Sequence, residues 1–247
     1  MSTFEMPTEA EPVTVVQGDC LDVLRSLPDG CVDAVVTDPP YGTDVPRDGY
    51  GRRQLWNATR RIEGDSDLRA MQAGLRECFR LLAPDGWAVC FASPKRHAAS
   101  VAAAELAGFS VTGEVIWDKV MPGLGGGIRY QHELVMLLSK GDPMGRDSMF
   151  SVLRCSRVMH AEHPHEKPVS LMRQMVRYAS GIRGLVLDPF AGSGTTGVAA
   201  ITEGRRCILI EQDEKYADLC RRRVAEALGM GVGSLLAATA NLFDGVE

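Results

Sequence analysis

A chain of 247 residues, 45% hydrophobic and 24% charged, suits one large soluble domain or at most two small ones. At that length roughly 70–75% of the unfolded surface can be buried, so neither a disulfide framework nor a structural metal is needed. A formal charge of −5 excludes a globally basic nucleic-acid binder; any such role must rest on local positive patches.

After a polar leader over residues 1–12, expected to be flexible, "VTVVQGD" (Val13–Asp19) reads as a short buried strand. "LDVLRSL" is a brief helix, "PDG" a turn, and "VDAVVTD" (Val32–Asp38) a second strand. Residues 42–65 show little periodicity and many Gly and Arg. In "DSDLRAMQAGLRECFRLL" the residues Leu68, Met71, Leu75, Cys78 and Leu82 recur at three- and four-residue steps, which predicts a one-faced helix ended by "APDG". "WAVCFAS" is a strand and residues 95–107 a helix. "FSVTGEVIWDK" and "HELVMLLSK" are strands flanking the glycine-rich loop "MPGLGGGIRY". Residues 141–167 read as irregular. "SLMRQMVRYAS" is a helix, "GLVLDPF" a strand, "AGSGTTGVAAITEG" a turn entering a helix, and "CILIEQ" a strand. The last helix, "DEKYADLCRRRVAEAL", has Tyr216, Leu219, Cys220 and Val224 on its apolar face; the tail 229–247 is expected to be loosely held.

Short apolar strands separated by helices predict an α/β fold, a mainly parallel sheet of seven strands with helices on both faces, in one domain over residues 13–228. The cysteines (Cys20, Cys31, Cys78, Cys90, Cys155, Cys207, Cys220) are odd in number and lack C-x-x-C spacing, so free thiols in a reducing compartment are expected. No signal pattern and no apolar run of roughly 20 residues is present, which leads to an expectation of a cytoplasmic protein.

In such sheets ligands bind beyond the carboxyl ends of the strands, and two of those ends are unusual. The first is "LDPFAGSGTTG", where a strand delivers Asp188, a Gly-rich turn follows, and a helix begins near Thr195. Gly192 and Gly194 let backbone approach a ligand, and Glu211, about twenty residues on, is placed for ribose hydroxyls. A P-loop would need Lys before the Ser/Thr, and a dinucleotide site would need G-x-G-x-x-G. S-adenosylmethionine, with a ribose, an adenine and a cationic sulfonium but no phosphate, fits best.

The second is "TDPPYG". Asp38 offers a carboxylate acceptor, Pro39 a carbonyl with fixed φ, Tyr41 a flat face for a base, and Pro40 stiffness. Together these suit the exocyclic amino group of a base taken out of its helix. This stretch resembles the D-P-P-Y catalytic motif of DNA amino-methyltransferases. "DPFAGSGTT" resembles their cofactor motif, and "HPHEKPVSLM" (His163–Met172) a segment preceding that motif. Catalytic before cofactor motif is the circularly permuted order of the beta group, which includes modification, orphan bacterial and phage enzymes. The motifs span most of residues 13–225.

The resemblance implies a Rossmann-like methyltransferase fold and S-adenosylmethionine as cofactor. Cofactor contacts would come from Asp19, Lys167, Pro168, Asp188, Phe190, Gly192, Ser193, Gly194, Thr195, Thr196 and Glu211. Asp38, Pro39, Pro40 and Tyr41 would form the catalytic segment, with Trp117 and Glu133 in the region where the family packs the base. Asp before the prolines leans to adenine N6 over cytosine N4, and direct methyl transfer is expected because no cysteine accompanies the motif.

Arg47, Arg52, Arg53, Arg60 and Arg61 face one acid, Asp48, with Tyr50 and Trp56 interleaved. With Arg154 and Arg157 in a second irregular segment that also holds Arg146, they are expected to contact double-stranded DNA. Related enzymes often dimerise, so a homodimer is carried as an expectation. Near His160, His163 and His165 only Glu162 and Glu166 have ligand spacing, and no chemistry here needs a metal, so none is expected.

Overall fold

The structure, a computed structural model, describes residues 6–40, 68–122, 127–143, 147–159 and 161–229. The expectations for Tyr41, Arg47, Arg52, Arg53, Arg60, Arg61, Arg146, His160 and the tail from 230 lie outside those residues.

The strands are β1 (Val13–Gln17), β2 (Val32–Thr37), β3 (Leu82–Ala92), β4 (Ser110–Asp118), β5 (His132–Lys140), β6 (Val152–Arg154), β7 (Leu185–Asp188) and β8 (Arg206–Glu211). The helices are α1 (Cys20–Ser26), α2 (Leu68–Leu81), α3 (His97–Ala107), α4 (Val169–Ala179), α5 (Thr195–Thr202) and α6 (Glu214–Ala227). Among the described residues the strands form one sheet in the order β1-β8-β7-β2-β3-β5-β4-β6. Only β5 runs against the others.

Among the described residues the sheet has eight strands, not seven. The extra one, β6, lies inside the segment read as irregular and pairs with β4 through Val152–Ile116, Leu153–Trp117 and Arg154–Asp118. Three residues with a single inward side chain, Leu153, are too few to print a period of two on the sequence.

Alternation along the central strands builds a core on each face. Ala34, Val36, Val89, Phe91, Val186 and Leu209 face Leu171, Met175, Ala199, Cys220 and Val224 of α4–α6. Their neighbours Val35, Ala88, Cys90, Leu187 and Ile208 face Leu24, Met71, Leu75 and Cys78 of α1 and α2. The leader is tied to β8: Pro7 accepts a hydrogen bond from Arg206 and Pro12 one from the Cys207 amide. No helix among the described residues is long and apolar enough to cross a membrane.

β7 and β2 are neighbours, with Ala34 opposite Val186 and Val35 opposite Leu187. From β7 the chain continues through α5 to β8 on one side; from β2 it continues through α2 to β3 on the other. The two packed helices belong to opposite faces, so a crevice opens where the strand order reverses. Both unusual strand ends lie there.

Candidate active site

Asp188 is 2% exposed and holds the two strand ends together. Its carboxylate accepts Thr37 Oγ1 at 2.8 Å, the hydroxyl of Thr196 and the Phe190 amide at 3.2 Å. Thr37 immediately precedes Asp38, and Thr196 lies in the first turn of α5. One buried acid therefore fixes the exit of β2 relative to the loop after β7. Burial pushes its carboxyl up to about 6, against the pull of those hydrogen bonds. A carboxyl raised on folding binds extra protons in the native state between about pH 4 and 6. Its contribution is thus stabilising below that window and is lost as pH rises through it. Two units correspond to ~3 kcal/mol. The stability of the wild type relative to Asp188→Asn is expected to fall by up to that amount between pH 4 and 6.5 in urea titrations. A difference flat with pH would contradict this account.

The loop itself is stitched from several sides. The Gly192 amide donates to Glu211 Oε2 at 2.7 Å, and the Asp213 amide to Glu211 Oε1 at 2.9 Å. Arg223 of α6 donates to the Ser193 carbonyl at 3.0 Å and to Thr195 Oγ1 at 3.1 Å, while Ser193 and Thr195 hydroxyls meet at 3.1 Å. The Phe190 ring lies over α2, where a Cβ on Gly74 would come within 2.9 Å of it; this contact explains a glycine in mid-helix. Asp19 caps α1 through the Leu21 and Asp22 amides and stands beside Glu211, since Gly18 bonds the Glu211 carbonyl. Pro168, buried, caps α4.

Asp38, Pro39 and Pro40 follow β2, with Pro39 buried and the other two partly so. Asp38 ion-pairs with Lys167, whose ammonium is also 3.3 Å from Glu133; Lys119 reaches Glu133 from the other side at 3.1 Å. Aromatic faces enclose the ammonium, Phe91 at 5.0 Å and Trp117 at 5.9 Å. Lys167, which the resemblance implied as a cofactor contact, is paired with Asp38 at the exit of β2. Thr37, Lys119 and Arg223 carried no role in the sequence reading. The first lies inside the quoted motif; the other two had no local signal.

His163 is 8% exposed, edge-on to Tyr216 at 4.4 Å. Its Nδ1 accepts the His165 amide, which leaves the proton on Nε2, and burial pushes its pKa down to about 3. It is a neutral packing group. Among the described residues no cluster of His, Cys, Asp or Glu could hold a metal ion.

The profile of the N6/N4 DNA methylase family matches residues 32–222, a span that includes both strand ends. The chain belongs to that family. It is accordingly an enzyme, a DNA methyltransferase. YubD of Escherichia coli (strain K12), provisionally named a methylase, is 36% identical over 85% of this chain and 89% of its own length. TTHA0409 of Thermus thermophilus, provisionally a DNA modification methylase, was solved with S-adenosyl-L-methionine. It superposes with a TM-score of 0.63 at 27% identity, covering 86% of this chain and 94% of that one. The PvuII DNA methyltransferase, specific for cytosine N4, shares the fold with a TM-score of 0.72 at 17% identity, covering 98% and 95%.

Charge divides the edge of the methyltransferase's sheet at which both unusual strand ends lie into two halves. The ends of β1, β7 and β8 carry Asp19, Asp188, Glu211, Asp213 and Glu214. Beyond β2, the end of β3 leads to exposed Lys95 and Arg96, the start of β5 follows exposed Arg129, and the end of β6 leads to exposed Arg154 and Arg157. Lys95 lies over the Tyr130 ring at 5.7 Å, joining the first two groups. The acids of this half are engaged: Asp118 takes the Val120 amide and Arg154, and Glu133 is buried between lysines.

Proposed function

We propose that this DNA methyltransferase moves a methyl group from S-adenosylmethionine to N6 of an adenine flipped out of double-stranded DNA. The observation that carries the reading is the tie Thr37–Asp188–Thr196, which joins the exit of β2, with Asp38, to the Gly-rich loop. The loop fits the cofactor: Glu211, steadied by two backbone amides, suits ribose hydroxyls, Asp19 suits the adenine, and the acidic half suits a cation. Gly192, Ser193, Gly194, Thr195 and Thr196, with Phe190, Asp188, Lys167 and Pro168, would complete the pocket. When bound, S-adenosylmethionine supplies a methyl group on an electrophilic sulfonium. The chain's own part is to hold the base. Asp38 and the Pro39 carbonyl accept the two amino hydrogens, which localises a lone pair otherwise delocalised into the ring. No enzyme nucleophile is involved. Asp at the head of the motif favours adenine. Mass spectrometry of nucleosides from DNA of expressing cells tests this directly. N6-methyladenine is expected, and N4-methylcytosine alone would move the reading to cytosine.

The basic half supports a path for the DNA backbone across β3, β5, β4 and β6, away from the acidic cofactor half. Arg154 and Arg157 belong to it, joined by Lys95, Arg96 and Arg129. Every phosphate that the protein no longer neutralises lowers the log–log salt slope of binding by about 0.9. Lys95→Ala/Arg129→Ala/Arg154→Ala is therefore expected to reduce the slope by about two to three in DNA titrations. An unchanged slope would remove these residues from the interface.

A further inference from the structure

Asp38 does not stand alone at the end of β2. Lys167, only 6% exposed, reaches it from the turn before α4 and meets Glu133 of β5 on its other side. Burying three ionised groups costs free energy unless their geometry compensates, and such a set contributes little to net stability. Glu133 Oε2 has no hydrogen bond, and the charges of Lys167 and Lys119 balance the carboxylate. Val120, next to Lys119, adopts φ +68, a conformation disfavoured for a β-branched residue, and it follows the lysine that closes the set. A stability role does not explain this arrangement.

We propose that Lys167 is a positioning residue for Asp38, pinning its carboxylate in the orientation that accepts an amino hydrogen of the target base, with Glu133 as the counter-charge. This rests on the reading of Asp38 as that acceptor. A carboxylate held through one oxygen loses its rotation about Cβ–Cγ, so its acceptor direction is set before the base arrives. The lysine also separates two carboxylates that would otherwise share a proton. Its charge holds Glu133 below the usual carboxylate range despite burial, and the two acids hold Lys167 above the usual lysine range. The other groups facing the set are Lys119 on Glu133, Asp188 and Cys90, which feel the charge of Asp38, and His163, which feels that of Lys167. The same turn reaches the cofactor loop. Glu166 pairs with Arg223 at 3.1 Å, and Arg223 binds Ser193 and Thr195, so the position of Lys167 is locked to that loop.

Lys167→Met tests the proposal against a plain cofactor contact. Positioning predicts kcat down by about 10²-fold with cofactor affinity, by calorimetry, within about threefold. It also predicts an acid limb of the kcat–pH profile moved to higher pH, because Glu133 beside the site loses the cation that holds its carboxyl down. Lys167→Gln/Glu133→Gln, which removes one charge of each sign from the set, covers the case in which the single variant does not fold. It is expected to turn over at least about tenfold faster than Lys167→Met, with the acid limb near that of wild type. Carboxyl-carbon NMR of Lys167→Met, or of Lys167→Gln should Met not fold, gives a readout without turnover, and one carboxyl of the pair should titrate higher than in wild type. Weakened cofactor binding with unmoved carboxyls and an unmoved acid limb would overturn the proposal. So would a double variant no better than the single one. Asp38→Ala in the same assay reports separately on the role of Asp38, because its turnover falls only if Asp38 is the acceptor.

Discussion

Alanine at position 38 is expected to lower kcat by about 10²–10³-fold or more, the usual cost of removing one preorganised transition-state hydrogen-bond partner. The amino nitrogen of a base is a poor nucleophile, and acceptance of its hydrogens gains strength only as the new bond forms. kcat and kcat/KM should therefore fall together. DNA affinity should stay within a few fold, because phosphate contacts elsewhere dominate it. The fold should survive, because Lys167 keeps Glu133 at 3.3 Å and is not left as an isolated buried cation. Asp38→Asn, which keeps the shape but weakens the acceptor, is expected to lie between the two. Single-turnover methylation at saturating DNA and cofactor is the measurement. Turnover within a few fold of wild type would refute the assignment of Asp38.

The parts legible in the sequence are those encoded by neighbours along the chain. The apolar steps of α2 and the strand–turn–helix after β7 are local patterns, as is the Asp-Pro-Pro exit of β2. Strand order is not local. Nothing in "VDAVVTD" or "GLVLDPF" says that these strands lie side by side, yet the Thr37–Asp188 bond exists only because they do, across 151 residues. The partnership of Lys167 with Asp38, 129 residues apart, was hidden for the same reason. The strand β6 was missed for a different reason, its length, since three residues give no periodicity to read. Lys95 and Arg129 carried no role in the sequence reading, because only the pairing of β3 with β5 brings them to one edge.

The second large effect is expected at Gly194, where valine should weaken S-adenosylmethionine binding by about 10- to 100-fold, or ~1.4–2.7 kcal/mol. Gly194 has φ +74, and a β-branched side chain there costs ~1–3 kcal/mol in backbone strain alone. A Cβ would also stand 3.0 Å from the Cys220 Cα, main chain of α6 that cannot swing aside. Relief requires the loop to move outward. That motion would strain the Gly194–Ala191 turn bond at 2.8 Å and the Arg223 contacts to Ser193 and Thr195. Asp38 lies on the neighbouring strand, so kcat at saturating cofactor should fall far less than KM for the cofactor rises, the reverse of the split expected for Asp38→Ala. Gly204→Ala is the control for strain: φ is +68, but nothing lies within 4 Å of the added Cβ. It should lower the melting temperature slightly and leave cofactor affinity unchanged. Calorimetric titration of both variants separates a loop effect from general destabilisation. An unaltered dissociation constant in a folded Gly194→Val protein would mean that the loop after β7 is not where the cofactor binds.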